Sequence, residues 1–267
     1  MSEGQVETAE LFSIGTELTL GRIQDSNSFW MAGKLAELGV TTKRITVLSD
    51  DLDDIVETLG AALQRGTGLI IITGGLGPTP DDQTVEALCA LAGCSASPHD
   101  EILHDYIRRR GVARHELSAG LVKMASAPLN ATVTPNPAGW APCIRMDFGK
   151  AAVYALPGPP MEMQAVFNAY VAPFVKESVS GRALCARLKV EMFESEVSPL
   201  MQDVMRLSEG VYLKAYVALR NGTDHGLPVD IVARGASESE ARERLDRALL
   251  LFTAMVRAQG RDVAPVS

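Results

Sequence analysis

Short apolar runs alternate with amphipathic segments along the first two thirds of the chain. Residues 9–14, 40–48 and 69–73 are apolar or rich in β-branched side chains, which predicts strands. Between them, residues 27–38 and 50–63 repeat apolar positions at helical spacing, which predicts helices buried on one side. The alternation favours an α/β domain in which helices cover both faces of a mostly parallel sheet.

The same pattern extends to residue 175. Helical segments are predicted around residues 102–107, 117–124 and 161–175, and the apolar runs 143–148 and 151–156 predict a hairpin. Ligands of open α/β sheets bind beyond the carboxyl ends of the strands. We therefore expect the segments after the strands to share one rim of the sheet. They begin at Gly15, Ser49, Gly74 and Pro157.

A second, smaller domain is predicted after a boundary near residues 178–181. Its elements are a strand at 184–193, a helix at 197–207, a strand at 211–219, a turn at 221–222, a strand at 228–233 and a helix at 237–258. This βαββα order is typical of a ferredoxin-like α+β domain. The predicted domains are residues 1–178 and 179–267.

The charge of the chain is uneven. The formal net charge is -8, from 25 Lys and Arg against 33 Asp and Glu. Residues 181–267 hold 12 of each sign, so 13 basic and 21 acidic residues precede them. The excess of acid argues against nucleic acid as a partner. A phosphate ligand would need backbone amides, a few placed cations or a metal ion.

The sequence predicts a cytoplasmic protein that does not enter a membrane. The start, "MSEGQVETAE", lacks a secretory signal pattern, and no apolar run reaches the roughly 20 residues of a membrane helix. The cysteines are not spaced as metal-ligand or disulfide pairs, so we expect reduced, mostly buried thiols. They are Cys89, Cys94, Cys143 and Cys185.

The stretch "TGGLGPTPDD", residues 73–82, follows a predicted strand. Gly74, Gly75 and Gly77 let backbone amides approach a ligand, and a helix expected to begin near Pro80 would direct its free N–H groups to the same place. The pattern favours a phosphate site that includes Thr79. The alternative is a tight turn in which the glycines serve geometry alone.

Two carboxylates, Asp81 and Asp82, end this stretch. In a first helical turn, they would offset the helix dipole. Because one acid suffices for that, the pair also suggests a cation ligand or a base beside the anion site. Asp50 ends another strand on the same rim and is the natural partner, although a helix N-cap would equally explain it.

Four other side chains have both a structural and a functional interpretation. Glu17 and Asn27 lie in the first strand-to-helix connection, where Asn27 could be an N-cap or a rim residue. Lys123 could meet a phosphate or cover a helix surface. Trp140 could stack on a base, or fill a loop as a buried aromatic.

Three motifs carry a family resemblance. "SIGTELTLGRIQDSNSFWMAGKLAELG", "TGGLGPTPDDQTVEAL" and "YALPGPPMEM" occur in this order within residues 9–175. Together they resemble the CinA-like competence/damage-inducible proteins, whose first domain is similar to the molybdopterin-binding domains of molybdenum-cofactor biosynthesis. The small second domain also looks like the one that follows in that family.

The resemblance implies a three-layer molybdopterin-binding-like fold. For the CinA-like branch it also implies a metal-dependent pyrophosphatase that hydrolyses ADP-ribose to AMP and ribose 5-phosphate. Many members continue into a nicotinamide-mononucleotide deamidase domain, which we do not expect in a chain that ends at Ser267. Leu76 departs from the threonine usual in molybdenum-cofactor proteins, and Trp140 and Cys143 depart from the family's Gly-Thr-Ala-Pro-Gly pattern.

The resulting hypothesis is a hydrolase of a phosphoanhydride that uses Mg²⁺, Mn²⁺ or Co²⁺. Asp50 and Asp82 are the predicted catalytic residues, and Asp81 and Asp82 the predicted metal ligands. The predicted substrate contacts are Gly15, Glu17, Asn27, Thr73, Gly74, Gly75, Gly77, Thr79, Lys123, Asn136, Gly158 and Glu162. The partner is a nucleotide-type small molecule, and homo-oligomers are expected because pterin-domain relatives self-associate. The alternatives are a non-hydrolytic pterin or nucleotide binding module and a molybdopterin adenylyltransferase.

Overall fold

The computed structural model describes residues 6–179, 181–219 and 226–266, which form two compact units. The first unit comprises residues 6–36 and 40–179, and the second comprises residues 37–39 with the described residues from 181 onward. No helix within the described ranges is long and apolar enough to cross a membrane.

The first unit contains eight described strands. They are β1 (Thr8–Ile14), β2 (Thr41–Leu48), β3 (Leu69–Thr73), β4 (Ala96–Pro98), β5 (Ser126–Pro128), β6 (Thr132–Thr134), β7 (Cys143–Phe148) and β8 (Ala151–Leu156). Six of them form a sheet in the order β2-β1-β3-β8-β7-β6. The first four in that order are parallel, and β7 and β6 extend the sheet in antiparallel fashion. Strands β4 and β5 pair separately.

Helices pack on both faces of the six-stranded sheet. They are α1 (Thr16–Thr19), α2 (Ser26–Glu37), α3 (Leu52–Gln64), α4 (Thr84–Ala92), α5 (Asp100–Arg110), α6 (Ala119–Met124), α7 (Pro160–Val166) and α8 (Ala172–Ser178). Phe12 and Ile70 share a core cluster with Ile55 of α3. Leu11 and Ile71, which point to the opposite face, are also fully buried. The first unit therefore has the predicted three layers.

The second unit has an antiparallel sheet covered by helices. Its elements are β9 (Arg182–Val190), α9 (Glu194–Leu207), β10 (Val211–Ala215), β11 (Leu227–Gly235), α10 (Glu238–Ala258) and β12 (Val263–Pro265). The strand order β10-β11-β9-β12 is that of a ferredoxin-like fold. Val190, Ile231 and Phe252 lie in its core. The predicted α+β class is confirmed.

The structure departs from the prediction in several elements. Strand β10 ends at Ala215, and a 3-10 turn at Val217–Leu219 replaces its predicted extension. Strand β12 was not predicted, because three residues carry too little pattern. A π-helical segment, Phe167–Val171, lies between α7 and α8 inside the predicted single helix. The turn predicted at 221–222 lies outside the described residues.

The described cysteines are free thiols in different surroundings. Cys89 and Cys143 are buried, whereas Cys185 is exposed. Burial raises the pKa of the Cys89 thiol to about 11, with Cys94 adding to the effect. Burial raises the pKa of Cys143 to about 12. The buried thiols are therefore protonated and unreactive at neutral pH.

Candidate functional site

A cavity of about 510 Å³ lies at the carboxyl ends of the parallel strands. The first or second residue after each of β1, β2, β3 and β8 contributes to its wall, as the rule for open α/β sheets requires. Its volume is in the usual range for a small-molecule site.

Most of the predicted site residues line this cavity. They are Gly15, Glu17, Asn27, Asp50, Thr73, Gly74, Gly75, Gly77, Asp81, Asp82, Gly158 and Glu162. The predicted contacts Thr79, Lys123 and Asn136 do not line it and act on residues that do. Asp25 and Met124 line it without having been singled out from the sequence. Trp140, for which the sequence left base stacking and a buried loop position open, lines it as well.

The glycine loop is packed against the end of β1. Gly74 has a φ of 97°, and a Cβ there would collide with the carbonyl oxygen of Ile14. The Gly74 amide donates to Leu156 O at 3.1 Å, so it is not available to a ligand. In the described part of the chain, no hydrogen bond engages the amides of Gly75 and Gly77. The Leu76 amide is equally unengaged among the described residues, so this loop retains backbone donors for an anion.

Helix α4 begins at Thr84 and not near Pro80. The Thr84 hydroxyl donates to Gly74 O at 2.8 Å, and the Thr84 amide donates to Gly75 O at 3.1 Å. These bonds fix where the helix starts. Residues 81 and 82 therefore precede the helix, and their predicted role in its first turn is wrong. Glu86 is the acid of that turn.

The carboxylate of Asp82 closes the turn that precedes α4. Its Oδ2 accepts from the Thr79 amide at 2.9 Å and from the Thr79 hydroxyl. A Cβ on Gly77 would lie 2.5 Å from the same oxygen, so a larger residue there would displace the carboxylate from the loop. Through these two bonds, Thr79 holds the Asp82 carboxylate in position.

The neighbouring carboxylate, Asp81, has a lowered pKa. The Thr79 side chain contributes most, followed by the backbone amide of Asp81, and the charge of Lys123 also lowers it. Desolvation opposes these effects. Asp81 is therefore an anion at neutral pH, beside the Asp82 carboxylate in the same cavity wall.

Asp50 joins the ends of β1 and β2. Its Oδ2 accepts from the Thr16 amide at 2.7 Å and from the Thr16 hydroxyl at 2.8 Å. The N-cap of α3 is Asp51, which accepts from the Asp54 amide at 3.0 Å. The N-cap interpretation of Asp50 is therefore wrong.

Asn27 is buried at the base of the cavity, with 8% of its surface exposed. Its Nδ2 donates to Thr73 Oγ1 at 3.0 Å and to Gly158 O at 2.7 Å. Asn27 is inside α2, whose first turn is held by Asp25 through the Ser28 amide at 3.0 Å, so the N-cap interpretation of Asn27 is wrong. The sequence signal for this cap was an N-cap residue type, Asp25, placed three residues before Ser28 at the start of the helix.

The other amide atom of Asn27 lacks a partner. Its Oδ1 is buried and accepts no hydrogen bond from the described residues. The orientation of the amide is fixed, because the Thr73 hydroxyl donates to Pro157 O at 2.7 Å and so must accept from Asn27. A buried acceptor without a donor is costly, and a ligand donor or a water would satisfy it.

Glu162 belongs to a second group of polar contacts in the cavity wall. Buried Asn136 donates to Glu162 Oε2 at 2.7 Å and to Ala141 O at 2.9 Å. A Cβ on Gly139 would collide with the Glu162 carboxylate. Asn136 is thus a support that holds Glu162 and the loop preceding β7.

The cavity wall is strongly acidic. Its described lining includes six carboxylates and no Lys, Arg or His. The carboxylates are those of Glu17, Asp25, Asp50, Asp81, Asp82 and Glu162. An anionic ligand would meet strong repulsion here unless a cation accompanied it.

The carboxylates do not form a ready-made metal cage. Across residues 6–179, 181–219 and 226–266, no three His, Cys, Asp or Glu side chains converge as a metal-ligand cluster. Mg²⁺ is commonly bound through one or two carboxylates together with substrate phosphates. Asp82 with Asp81 or Asp50 therefore fits an ion that arrives with a phosphate ligand.

Fold and cavity together define the first unit as a molybdopterin-binding type of α/β domain. The family model described as a probable molybdopterin binding domain matches residues 10–177, and the chain belongs to this family. A protein of Pyrobaculum aerophilum is 36% identical over 265 residues, covering 97% of this chain and 98% of that protein.

Two further relatives confirm the CinA-like resemblance. A CinA-like protein of Frankia casuarinae is 34% identical over 241 residues, covering 87% of this chain. The match covers 55% of that relative, so the chain spans about half of its length. The crystal structure of CinA from Thermoplasma acidophilum, described as having unknown function, matches with a TM-score of 0.59 and 31% identity, covering 64% of this chain and 99% of that one.

Proposed function

We propose that the first unit binds a small nucleotide or pterin that carries a phosphate group. The observation that carries this proposal is the cavity at the strand ends, where the amides of Gly75 and Gly77 can take phosphate oxygens. Buried Asn27 Oδ1 would accept from a donor of the ligand. Membership of the molybdopterin-binding family supports this class of ligand.

The six carboxylates make a divalent cation part of the proposal. Asp82, with Asp81 or Asp50, would hold Mg²⁺, Mn²⁺ or Co²⁺ while the ion also contacts the ligand phosphate. When bound, such an ion offsets negative charge and lowers the pKa of a coordinated water. The chain's own contribution is to keep Asp82 and Asp50 in fixed positions through Thr79 and Thr16.

Calorimetry tests the binding proposal. AMP, ADP-ribose and neopterin monophosphate are titrated into the full chain with and without Mg²⁺, and at least one should bind, more tightly with the ion. Asp82→Asn should reduce the gain in affinity that Mg²⁺ gives. The matched control is Asp53→Asn, because Asp53 is an exposed acid of the first turn of α3. No binding of any compound with Mg²⁺, Mn²⁺ or Co²⁺ would contradict the proposal.

Hydrolysis of a phosphoanhydride is the second candidate function. The specific observation in its favour is that Asp50 and Asp82 each use only Oδ2 in hydrogen bonds with other described residues, which leaves both Oδ1 atoms for a water or an ion. ADP-ribose, the substrate suggested by the CinA-like resemblance, would give AMP and ribose 5-phosphate. In that reaction a water oxygen attacks one phosphorus and the bridging oxygen leaves with the other phosphate.

Chromatography of the products separates the candidates. Release of AMP from ADP-ribose with Mg²⁺, Mn²⁺ or Co²⁺, abolished by Asp82→Asn and kept by Asp53→Asn, would support hydrolysis. Binding without turnover would leave the binding function alone. Consumption of ATP only when molybdopterin is supplied would instead identify an adenylyl transfer.

Self-association is also part of the proposal. It rests on the resemblance to pterin-domain proteins. Light scattering on the purified full chain gives the mass directly, and the mass of a single 28.6 kDa chain across the working concentrations would contradict self-association.

A further inference from the structure

Trp140 lines the cavity and its ring is held by residues of α5. The Arg109 guanidinium lies over the indole at 4.1 Å from the ring centroid, and the Arg110 guanidinium lies at 5.3 Å. The Tyr106 ring packs on it edge-to-face with centroids 5.3 Å apart. Stacked cations and an edge-on aromatic restrict the rotamers of the indole, so its orientation is set before a ligand arrives.

The backbone around Trp140 is fixed as well. Tyr106 donates its hydroxyl to Trp140 O, and Arg109 donates to Gly139 O at 2.6 Å. Arg109 is itself paired with Asp105 at 3.2 Å. Two side chains of α5, Tyr106 and Arg109, therefore hold this loop, and neither of them lines the cavity.

We propose that Trp140 is the stacking surface for a planar heteroaromatic ring of the ligand, a purine or a pterin, and so determines which ligands this cavity accepts. The inference deepens the proposed function and rests on it. The glycine loop and the carboxylates recognise phosphate and cation, which many metabolites share. Trp140 is the aromatic side chain in the described cavity lining. Stacking on its indole recognises a flat ring but does not depend on the hydrogen-bonding groups at the edge of that ring.

A purely structural role for Trp140 makes a different prediction. If the indole served only to join its loop to α5, its removal would lower stability and affect all ligands alike. If it stacks on the ligand, its removal weakens ring-bearing ligands and leaves phosphate ligands unchanged. The two roles therefore differ in which ligands lose affinity when the indole is removed. Thermal melts of each variant check that it is folded.

The two tryptophans of the sequence allow a direct optical test. Trp30 packs edge-to-face on Phe167 and does not line the cavity. In Trp30→Phe, Trp140 is the sole indole, and AMP with Mg²⁺ should quench its emission with the dissociation constant found by calorimetry. In the matched control Trp140→Phe, the emission of Trp30 should stay unchanged.

Affinity measurements complete the test. Trp140→Leu should weaken AMP roughly 5- to 150-fold, while Trp140→Phe retains most of the affinity and pyrophosphate binds all variants equally. Parallel titrations of AMP and neopterin monophosphate show whether the ring is a purine or a pterin.

Two results would overturn the inference, and they differ from each other. If folded Trp140→Leu binds AMP and neopterin monophosphate as the wild type does, Trp140 is not a stacking surface and the proposed binding function stands. If the wild type binds none of the compounds with any of the three metal ions, the proposed function fails and this inference fails with it.

Discussion

Lys123 Nζ donates to the backbone carbonyl oxygen of Asp82 at 2.6 Å. Asp82 lines the main cavity, whereas Lys123 does not. Lys123 lines a second cavity of about 270 Å³, to whose wall the glycine loop also contributes. Glu86 Oε1 lies 3.8 Å from the Lys123 ammonium. The sequence suggested Lys123 as a phosphate contact. In the structure, it supports the backbone that carries the acids.

Replacing Lys123 should therefore loosen the loop and not merely remove a charge. Lys123→Met should lower the free energy of unfolding by about 1–2 kcal/mol, near the low end of the range for a hydrogen bond from a charged group because Lys123 is partly exposed to water. Urea denaturation measures it, with Lys150→Met in the exposed β7-β8 turn as the control. Equal stability of the two variants would show that Lys123 does not hold the loop.

In the first unit, the sequence predicted the five longer strands and the rim, because buried strands appear as apolar runs, but it did not predict the three-residue strands β4, β5 and β6. Strand β3 is a run of five buried residues, and its predicted bounds match the structure. The start of α4 was wrong because proline and acids at 78–82 imitate a helix N-terminus. What fixes the real start is the contact of Thr84 with Gly74, a bond between backbone and side chain that has no periodic pattern.

The candidate site was predicted in part for a similar reason. Positions after strands could be assigned to one rim, so Asp50 and Asp82 were found. Asn27 was predicted as a substrate contact, and stacking was one of two alternatives for Trp140. Their supporting contacts could not be predicted, since Asn27 bonds to Gly158, which is 131 positions away, and Trp140 packs on α5. Cytoplasmic location and self-association stay predictions.

Glu10 in β1 is a buried carboxylate whose ion pair should make stability depend on pH. Only 1% of its surface is exposed, and Arg65 donates to it at 2.6 Å and 3.0 Å. These bonds from Arg65 lower the pKa of Glu10 against the effect of desolvation, and Thr67 adds to the lowering. The resulting stability is complete above the unfolded pKa and is lost as the pH falls through the folded pKa.

The test compares Tm between about pH 6 and about pH 3 for the wild type and Glu10→Gln. The wild type should be the more stable at the upper end, and the gap should narrow on acidification. Arg65→Met should cost about 3 kcal/mol, because it leaves the buried charge with only the Thr67 hydroxyl and the more remote cation of Arg44, at 3.6 Å, among the contacts of the described residues. Arg114→Ala, which breaks an exposed pair with Asp100, is the control. A constant gap across the pH range would contradict the role of Glu10.

Gly74 should be the least replaceable glycine of the loop. In Gly74→Ala, the methyl group would meet the backbone of Ile14 at a φ of 97°, and neither can move without disturbing β1. We expect a loss of about 3 kcal/mol or more, from backbone strain and overpacking together. Gly111→Ala has a similar positive φ in open space and should cost about 1 kcal/mol. Chemical denaturation of both variants decides, and equal losses would show that the contact with Ile14 is unimportant.

Gly139 should affect ligand binding more than stability. In Gly139→Ala, the methyl group would occupy the place of the Glu162 carboxylate, which is the mobile end of a side chain and can swing away. That movement breaks the bond from Asn136 to Glu162 and changes the cavity wall beside Trp140. We expect a loss of about 1 kcal/mol in stability, the cost of one hydrogen bond, and a clear loss of affinity for the ligand that binds the wild type. Gly33→Ala in α2, where a methyl group meets nothing within 4 Å, should keep full affinity and gain about 0.5–1 kcal/mol. Calorimetry and melting curves on the two variants measure both quantities, and unchanged affinity in Gly139→Ala would remove Glu162 from the ligand site.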